Sequence, residues 1–267
     1  MIFAKHKRPR VVVFKTNQNI GNTMLEKIKK IGIIGAMDIE VKTLKSLLSS
    51  LPHEKAVKIT EDGSCTFAEG LLDGIPVVIV QSGIGKVNAA LCAQRLILQH
   101  DVTHIINTGI AGAIARGLKV QDIVLSIDAL YHDFDAVEFG YKLTEIPGMK
   151  RSNFPADEKL IDAAAKAFES LVEAKSHSLF KGRIATGDQF VASKELKSKI
   201  MESCSPACVE MEGAAIAHAC YLNQVPFIII RSISDMADDN GENTYNFNKE
   251  AAADLSAKLV RKMISFI

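Results

Sequence analysis

Several residues that could do chemistry follow apolar runs in this sequence. Glu40 ends the stretch Gly35–Glu40, and Ser82, Asn107 and the segment Arg231–Asp235 each come directly after another apolar run. Ligands of open α/β sheets collect at the carboxyl ends of the strands. If the apolar runs are strands, we expect these polar residues to meet at one edge of the sheet.

Two further acids, Glu210 and Glu212, bracket Met211 at the start of an Ala-rich segment. A carboxylate at a helix N-terminus is ordinarily a cap or a partner of the helix dipole, and that interpretation suits one of the two acids. The second acid in an apolar setting suits hydrogen bonding to vicinal ribose hydroxyls, with the thioether packed beside the sugar.

Arg231 and Asp235 have an equally simple structural interpretation. A buried Arg–Asp salt bridge that holds a loop would produce the same pattern, since structural ion pairs also place charges next to apolar strands. The stretch by itself leaves this alternative open.

The glycine-rich stretches Ser82–Gly85 and Gly109–Gly112 permit tight turns whose backbone N–H groups can approach a ligand. Neither has the spacing of a P-loop, and Gly32–Gly35 does not match the dinucleotide fingerprint. Ordinary turns explain each glycine taken singly.

Alternating apolar runs and amphipathic segments predict an α/β fold with a central mixed or parallel sheet covered by helices. We predict strands over Lys30–Met37, Ile75–Ser82, Thr103–Gly109, Asp122–Ala129 and Pro226–Ile233. We predict helices over Glu40–Leu48, Lys86–Gln99, Asp157–Ala174, Ser193–Cys204, Glu212–Asn223 and Asn248–Ile267.

The charge distribution argues against a nucleic-acid partner. Residues 1–30 hold eight Lys or Arg and one acid, Glu26, whereas the whole chain has a net charge of +1, so the remainder is mildly acidic. Nucleic-acid-binding surfaces are usually strongly basic. The expected partner is a small molecule.

The five cysteines are widely spread and form no C-x-x-C pair, so neither a disulfide framework nor a zinc site is indicated. No segment is long and apolar enough to suggest a membrane span, and Val11–Phe14 is too short for a signal-peptide core. These features predict a cytoplasmic protein that does not contact membranes.

Residues 1–28 do not follow the strand and helix pattern. We interpret them as a basic extension, disordered or upstream of a true start at Met24, with a basic arm for anionic surfaces as the alternative. Residues 29–267 are predicted to form a single domain.

Seven segments, in order and with compatible spacing, resemble the bacterial 5′-methylthioadenosine/S-adenosylhomocysteine nucleosidases. The resemblance runs from about Lys30 to the C-terminus, and seven segments in register are far more specific than any one of them. They are IGIIGAMDIE (31–40), SGIGKVNAA (82–90), NTGIAGA (107–113), YHDFDAVEFGY (131–141), ATGDQFV (185–191), VEMEGAAIAH (209–218) and RSISDMAD (231–238).

The resemblance implies the nucleoside phosphorylase-like fold, a three-layer α/β/α sandwich around a mixed, twisted sheet that curls into a barrel. It also implies a homodimer that hydrolyses its nucleoside substrate to adenine and a 5-thioribose without a metal or organic cofactor. Purine phosphorolysis and hydrolysis of another purine nucleoside, such as a futalosine derivative, are the nearest alternatives. A non-catalytic binding module would leave the buried acids unexplained.

The resemblance also implies roles for single residues. Glu40, aided by Ser82 and Arg231, would activate water, and Asp235, oriented by Ser234, would protonate adenine N7. The other matched residues would contact the substrate. Glu212 and Met211 would bind the ribose, with Glu210 beside them. Phe190 and the backbone of Val191 would bind the base, and Met37 and Tyr245 would bind the 5′-thio group.

The chemistry needs these residue types, because an acid must neutralise the departing base and a base must direct water at C1′. We therefore expect a raised pKa for Asp235 and an ionised Glu40. Tyr245 stands where the family has Phe, and Gly112-Ala113 replaces a common Gly-Gly pair. For His132 we expect a hydrogen bond that orders a loop.

Overall fold

The computed structural model describes residues 30–267, so the predictions for residues 1–28 lie outside the described part of the chain. The strands are β1 Ile31–Gly35, β2 Lys58–Asp62, β3 Cys65–Leu72, β4 Ile75–Gln81, β5 His104–Ala113, β6 Ile123–Tyr131, β7 Asn153–Pro155, β8 Leu179–Thr186, β9 Cys208–Glu210 and β10 Phe227–Asp235. The helices are α1 Asp38–Ser46, α2 Lys86–Gln99, α3 Glu158–Glu169, α4 Lys194–Cys204, α5 Gly213–Asn223 and α6 Gly241–Met263.

The central strands are buried on both faces. Every residue of β1 and β10 is buried, and β5 is buried from its second residue onward. Strands covered on both sides by helices must be apolar throughout, which explains why these runs lack the alternation of a half-exposed strand. The polar residues near their ends are therefore buried as well.

The sheet closes on itself at one end. Strand β5 pairs with β9 and β10, β10 pairs with β6, β6 pairs with β8, and β8 pairs with β9. These pairings form a closed ring of five strands. Strands β1, β4, β3 and β2 extend the sheet outward from β5. This arrangement confirms the expected mixed sheet that curls into a barrel.

Five of the ten strands were not predicted from the sequence. Strands β7 and β9 are only three residues long, too short for a periodic signal. Strand β2 is largely exposed, and β8 carries Lys181 and Arg183 within it. Their pairing partners, rather than their own composition, hold these segments extended.

Five of the six helices in residues 30–267 form two groups that cover the sheet. Helices α1 and α3 pack against α6, and α2 packs against α5. Helix α2 has the predicted bounds, whereas α6 begins at Gly241, seven residues before the predicted start, and so carries Tyr245. None of the helices within residues 30–267 is both long and apolar enough to cross a membrane.

The sheet order explains where the predicted site residues meet. Strand β1 runs parallel to β4 and β5, and β5 runs parallel to β10. The carboxyl ends of these four strands therefore share one edge. Residues separated by almost 200 positions in sequence, Glu40 and Asp235, come to the same end of the sheet.

Candidate active site

A cavity of about 420 Å³ opens at this edge of the sheet. It brings together ten of the twelve residues predicted to form the site. They are Met37, Glu40, Phe190, Val191, Glu210, Met211, Glu212, Ser234, Asp235 and Tyr245. Ser82 and Arg231 are buried nearby but do not line the cavity.

Glu40 is held by three backbone N–H groups. Its Oε2 atom accepts hydrogen bonds from the amides of Ala36 at 2.7 Å and Met37 at 2.9 Å, and its Oε1 atom accepts one from Ile110 at 3.2 Å. The turn before α1 thus folds back on the first turn of the helix, and β5 closes the other side. Within residues 30–267, no other side chain forms a hydrogen bond to this carboxylate.

Burial raises the pKa of Glu40 above its ordinary value, opposed by the charge of Arg231 and by the three backbone hydrogen bonds. The sequence interpretation expected a raised pKa for Asp235 alone. The pKa of both carboxyl groups is raised, because both are buried.

Asp235 ends β10 at an irregularity in its pairing with β5. Its Oδ2 atom accepts a hydrogen bond from the Ser234 hydroxyl at 2.8 Å, and Oδ1 accepts one from the Ala237 amide at 2.9 Å. The pKa of this carboxyl is raised by burial, against the effect of both hydrogen bonds. The predicted direction for Asp235 is confirmed, and Ser234 touches it as expected.

The two acids beside Met211 have different surroundings. The Oε2 atom of Glu210 accepts hydrogen bonds from the amides of Glu212 and Gly213, at the start of α5, and Oε1 accepts one from the Thr186 hydroxyl. Glu210 is therefore the helix cap. The Oε1 atom of Glu212 accepts a hydrogen bond from Gly85 at 2.8 Å, and its carboxyl group lines the cavity.

The pKa of Glu212 is raised, first by burial and then by the negative charge of Glu210. A carboxyl group with one recorded backbone donor keeps acceptor positions for a ligand. Glu210, in contrast, has its oxygens occupied by protein donors, so its predicted contact with substrate stays a prediction that the unliganded geometry does not favour.

Arg231 pairs with Glu210 and not with Asp235. Its Nη2 atom binds Oε2 of Glu210 and lies 2.6 Å from Oδ1 of Asn107. The simple Arg231–Asp235 salt bridge considered from the sequence is therefore wrong. The guanidinium instead provides the positive charge that balances a group of buried carboxylates.

Ser82 lies at the end of β4, where its hydroxyl donates to the carbonyl of Gly83 at 2.8 Å. Its amide donates to the carbonyl of Gly35 at 2.9 Å, which joins this turn to the one before α1. The predicted help of Ser82 in activating water stays a prediction.

An aromatic group forms the mouth of the cavity. The Tyr245 hydroxyl donates to the sulfur of Met37 at 3.4 Å, and the rings of Tyr245 and Phe190 meet edge to face at 5.6 Å. Phe190 remains 47% exposed, so its ring can accept a stacking partner. These residues were predicted to contact opposite ends of the substrate, and the structure makes them neighbours.

Sequence reasoning missed the residues that support the site from behind. Asn107 is 1% exposed and connects Arg231 to the Ile34 carbonyl, while Thr186 connects Glu210 to α5. Asn107 and Thr186 lie within two of the matched segments, so their position next to glycines was an available signal. The lining residues Ile84, Gln189, Glu242 and Asn246 were also missed.

The backbone N–H of His132 donates to the carbonyl of Thr186 at 2.9 Å, at the end of β8. Its Nε2 atom has no hydrogen-bond partner among residues 30–267, although it is buried. The neighbouring Asp133 makes the contacts that join this loop to the next one. No group of three or more His, Cys, Asp or Glu that could hold a metal ion occurs in this described part of the chain.

Comparisons with known proteins show the family to which the chain belongs. A family model described as the phosphorylase superfamily matches residues 30–265. The chain is 43% identical over 238 residues to a 5′-methylthioadenosine/S-adenosylhomocysteine nucleosidase of Colwellia psychrerythraea. These residues are 88% of this chain and 95% of the relative. The chain belongs to this nucleosidase family, within the phosphorylase superfamily.

Solved structures show the same fold. The Colwellia psychrerythraea nucleosidase in complex with adenine has a TM-score of 0.83 and 42% identity, over 90% of this chain and 96% of that one. The Neisseria meningitidis nucleosidase in complex with methylthio-immucillin-A has a TM-score of 0.83 and 35% identity, over 90% of this chain and 100% of that one.

A solved structure of a hydrolase named for a different substrate is also similar. The futalosine hydrolase of Helicobacter pylori has a TM-score of 0.82 and 30% identity, over 90% of this chain and 99% of that one. Membership of the nucleosidase family therefore fixes the fold and the reaction class more firmly than the group at the 5′ position.

Proposed function

We propose that the protein hydrolyses the N-glycosidic bond of 5′-methylthioadenosine and S-adenosylhomocysteine, and also of 5′-deoxyadenosine, to release adenine and the 5-substituted ribose. The observation that carries the proposal is the group of three buried carboxyl groups, Glu40, Glu212 and Asp235, that line one cavity and have separate partners. Each is suited to a different part of a nucleoside.

In the proposed mechanism the C1′–N9 bond breaks and the sugar becomes oxocarbenium-like. Asp235 donates a proton to adenine N7, and burial, which raises the pKa of this carboxyl group, favours its protonated form. Glu40 accepts a proton from water as the water oxygen bonds to C1′. The products are adenine and the free sugar, and the charges of both carboxyl groups balance.

The other residues bind and orient. Glu212 accepts hydrogen bonds from the ribose hydroxyls, and Met211 packs beside the sugar. Phe190 stacks on the base, with the backbone of Val191 at its edge. Met37 and Tyr245 surround the 5′-thio group, which a thioether and an aromatic ring suit by their polarisability. The reaction requires no metal or organic cofactor.

Hydrolysis is favoured over phosphorolysis by the charges near the site. Phosphate needs a cationic clamp, and the segment that follows β1 instead presents the carboxylate of Glu40, in the first turn of α1. The Arg231 guanidinium is 2% exposed and engaged by Glu210 and Asn107. A phosphate dianion at this place would therefore face the carboxylate of Glu40, while the Arg231 guanidinium is already paired.

Adenine release in phosphate-free buffer tests the reaction. We expect full activity without phosphate and unchanged kcat/KM after treatment with a chelator. Strict dependence on phosphate would contradict the hydrolase proposal. Comparing kcat/KM for 5′-methylthioadenosine, S-adenosylhomocysteine, 5′-deoxyadenosine and 6-amino-6-deoxyfutalosine tests the substrate. Preference for the last would reassign this enzyme among its relatives.

We also propose that the protein is a homodimer. Helix α2 has a buried apolar face and, in addition, a second, exposed apolar stripe. The stripe consists of Val87, Leu91 and Leu98, whose side chains are 70%, 55% and 67% exposed. Their spacing places them on one face of the helix. An exposed apolar stripe of this kind suits burial against another protein surface, and a second copy supplies the same stripe.

We further propose that residues 29–267 are the single catalytic domain and that the enzyme acts in the cytoplasm, in methionine salvage and the activated methyl cycle. The family match over residues 30–265 and the five free cysteines support this view. Deletion of residues 1–23 should leave adenine release unchanged. A complete loss would make the basic segment part of the site.

A further inference from the structure

A cluster of charged residues joins two loops beside the cavity. We name it the Lys86 cluster; it consists of Lys86 at the start of α2, Asp133 after β6, and Asp188 after β8. The Lys86 Nζ atom lies 2.6 Å from Oδ2 of Asp133 and 3.7 Å from Oδ2 of Asp188. The Asp188 amide donates to the same Oδ2 atom of Asp133 at 3.0 Å. None of the three lines the cavity.

The cluster supplies the cap that α2 lacks. The N-cap residue is Gly85, which has no side chain and a φ of 98°, a conformation that glycine adopts readily. Asp188 replaces the missing cap, because its Oδ1 atom accepts a hydrogen bond from the Lys86 amide at 2.9 Å. A carboxylate at this position also interacts favourably with the helix dipole.

The Gly85 amide, immediately before the Lys86 amide, binds Glu212, the proposed ribose acceptor. Gly85 donates to Oε1 of Glu212 at 2.8 Å, while Lys86 donates to Asp188. Two successive N–H groups thus hold two carboxylates from different loops. Because the peptide units are joined, a shift of Asp188 or of the start of α2 moves the donor that fixes Glu212.

The cluster also reaches the loop that carries the proposed base-binding residues. Asp188 precedes Phe190 by two residues and Val191 by three. Lys86 is held further by the Tyr131 ring, whose centre lies 5.5 Å from Nζ. The side chain of Asp133 is only 15% exposed, so its ion pair with Lys86 is partly shielded from solvent.

We propose that the Lys86 cluster is a positioning device for ribose recognition: Asp133 and Asp188 hold the start of α2 so that the Gly85 N–H keeps Glu212 directed at the 2′-hydroxyl. This inference rests on the proposed function, since it assigns a support to the proposed ribose acceptor. The cluster does not touch substrate and acts through Gly85 and Glu212.

The test is the discrimination between 5′-methylthioadenosine and its 2′-deoxy analogue. In Asp133→Ala, kcat/KM for the ribonucleoside should fall roughly tenfold, mainly through KM, because the Gly85 hydrogen bond that orients Glu212 is weakened. The value for the 2′-deoxy analogue should change far less. Loss of folded protein lowers both values equally, so the ratio reports positioning.

Two further variants and one control complete the experiment. Lys86→Gln removes the same ion pair from the other side and should lower the ratio similarly. Asp133→Asn keeps an oxygen acceptor for the Asp188 amide and should lower it less than Asp133→Ala. Asp135→Ala is the control, because Asp135 is exposed and its side chain accepts only from the Val137 amide two residues on; its ratio should equal that of the wild type.

An equal loss for both substrates in Asp133→Ala and Lys86→Gln, or an unchanged ratio, would overturn the positioning role while leaving the proposed hydrolysis in place. Failure of the wild-type protein to release adenine would instead overturn the proposed function and this inference with it.

Discussion

At the scale of single residues, the site depends on the different partners of its carboxyl groups. Burial raises the pKa of Glu40, Glu212 and Asp235 alike. Glu40 has three backbone donors, Asp235 has a hydroxyl and an amide, and Glu212 has one amide. The proposed division into base, acid and sugar ligand follows from these partners rather than from burial.

The roles of Asp235 and Glu40 predict the pH dependence of kcat/KM. Asp235 must be protonated, so activity should fall as pH rises through its raised pKa, and Glu40 must be ionised, so activity should fall as pH decreases through its own. Asp235→Asn should lower kcat/KM at least roughly a hundredfold and remove the alkaline decline. Glu40→Gln should cause a similar loss and remove the acidic decline.

The measurement is adenine release between pH 5 and pH 10, with Asp239→Asn as the control. Asp239 is an exposed acid four residues after Asp235, paired with Lys194, and its removal should leave the profile unchanged. Near-wild-type rates in both site variants would refute the assignment of acid and base.

Glu212 should limit the stability of the unliganded protein at high pH. Because burial and Glu210 raise its pKa in the folded state, the folded protein binds the proton more tightly than the unfolded chain does. The resulting stability is present below the ordinary pKa and is lost as pH rises through the raised one. Glu212→Gln removes this loss and should raise Tm by a few degrees at pH 9, with little effect at pH 5.

Thermal unfolding of both proteins across this pH range is the measurement, since 1 kcal/mol corresponds to about 2–4 °C in a protein of this size. Exposed Glu202→Gln is the matched control and should give the same difference from wild type at both pH values. A Glu212→Gln variant less stable than the wild type at pH 9 would contradict the argument.

At the scale of elements, β5 brings its backbone against the carboxyl groups of its neighbours. A Cβ atom added at Gly109 would lie 2.5 Å from Oε1 of Glu40, and one at Gly112 would lie 2.9 Å from Oδ1 of Asp235. The glycines that looked like ordinary turn residues in sequence are thus strand residues beside the acids. They are needed for close approach, and not for a turn.

Gly109→Ala should therefore displace Glu40 and lower kcat at least roughly tenfold, since small misplacements of reacting groups are costly. Adding Gly109→Ala to the Glu40→Gln variant should lower kcat by a much smaller factor than adding it to the wild type. Kinetics of the two single variants and the double variant measure this coupling. Independent, additive losses would show that Gly109 acts elsewhere.

At the scale of the whole molecule, the closed ring of strands leaves both helical layers outside the barrel, and α2 then exposes its second apolar stripe. Val87→Glu combined with Leu91→Glu should convert the proposed dimer into a monomer, because buried charges oppose association. Light scattering after size-exclusion chromatography measures the mass. Val172→Glu, at a 76% exposed side chain outside this helix, is the control.

A monomeric wild-type protein at micromolar concentration would contradict the proposed dimer. Retention of the dimer in the double variant would place the interface elsewhere on the surface.

The sequence by itself determined the fold class, the core strands β1, β4, β5, β6 and β10, and the bounds of α2. Long apolar runs and helical spacing are local signals, so they can be recognised without knowing which elements pack against them. The family resemblance also indicated ten residues that the structure brings to one cavity, nine of them within the matched segments and Tyr245 beyond the last.

Only the tertiary structure decided which charged groups pair. Glu210 and Glu212 are two residues apart and both line the cavity, but they have different partners. Glu210 accepts from Thr186 and the start of α5, whereas Glu212 accepts from Gly85; Thr186 and Gly85 are distant in the chain. Arg231 pairs with Glu210 and not with Asp235, which is nearer in sequence. Strands β9 and β10, which carry Glu210 and Arg231, both pair with β5, and this arrangement brings the two side chains together. Buried charges must find partners in space, and sequence distance does not record which strands become neighbours.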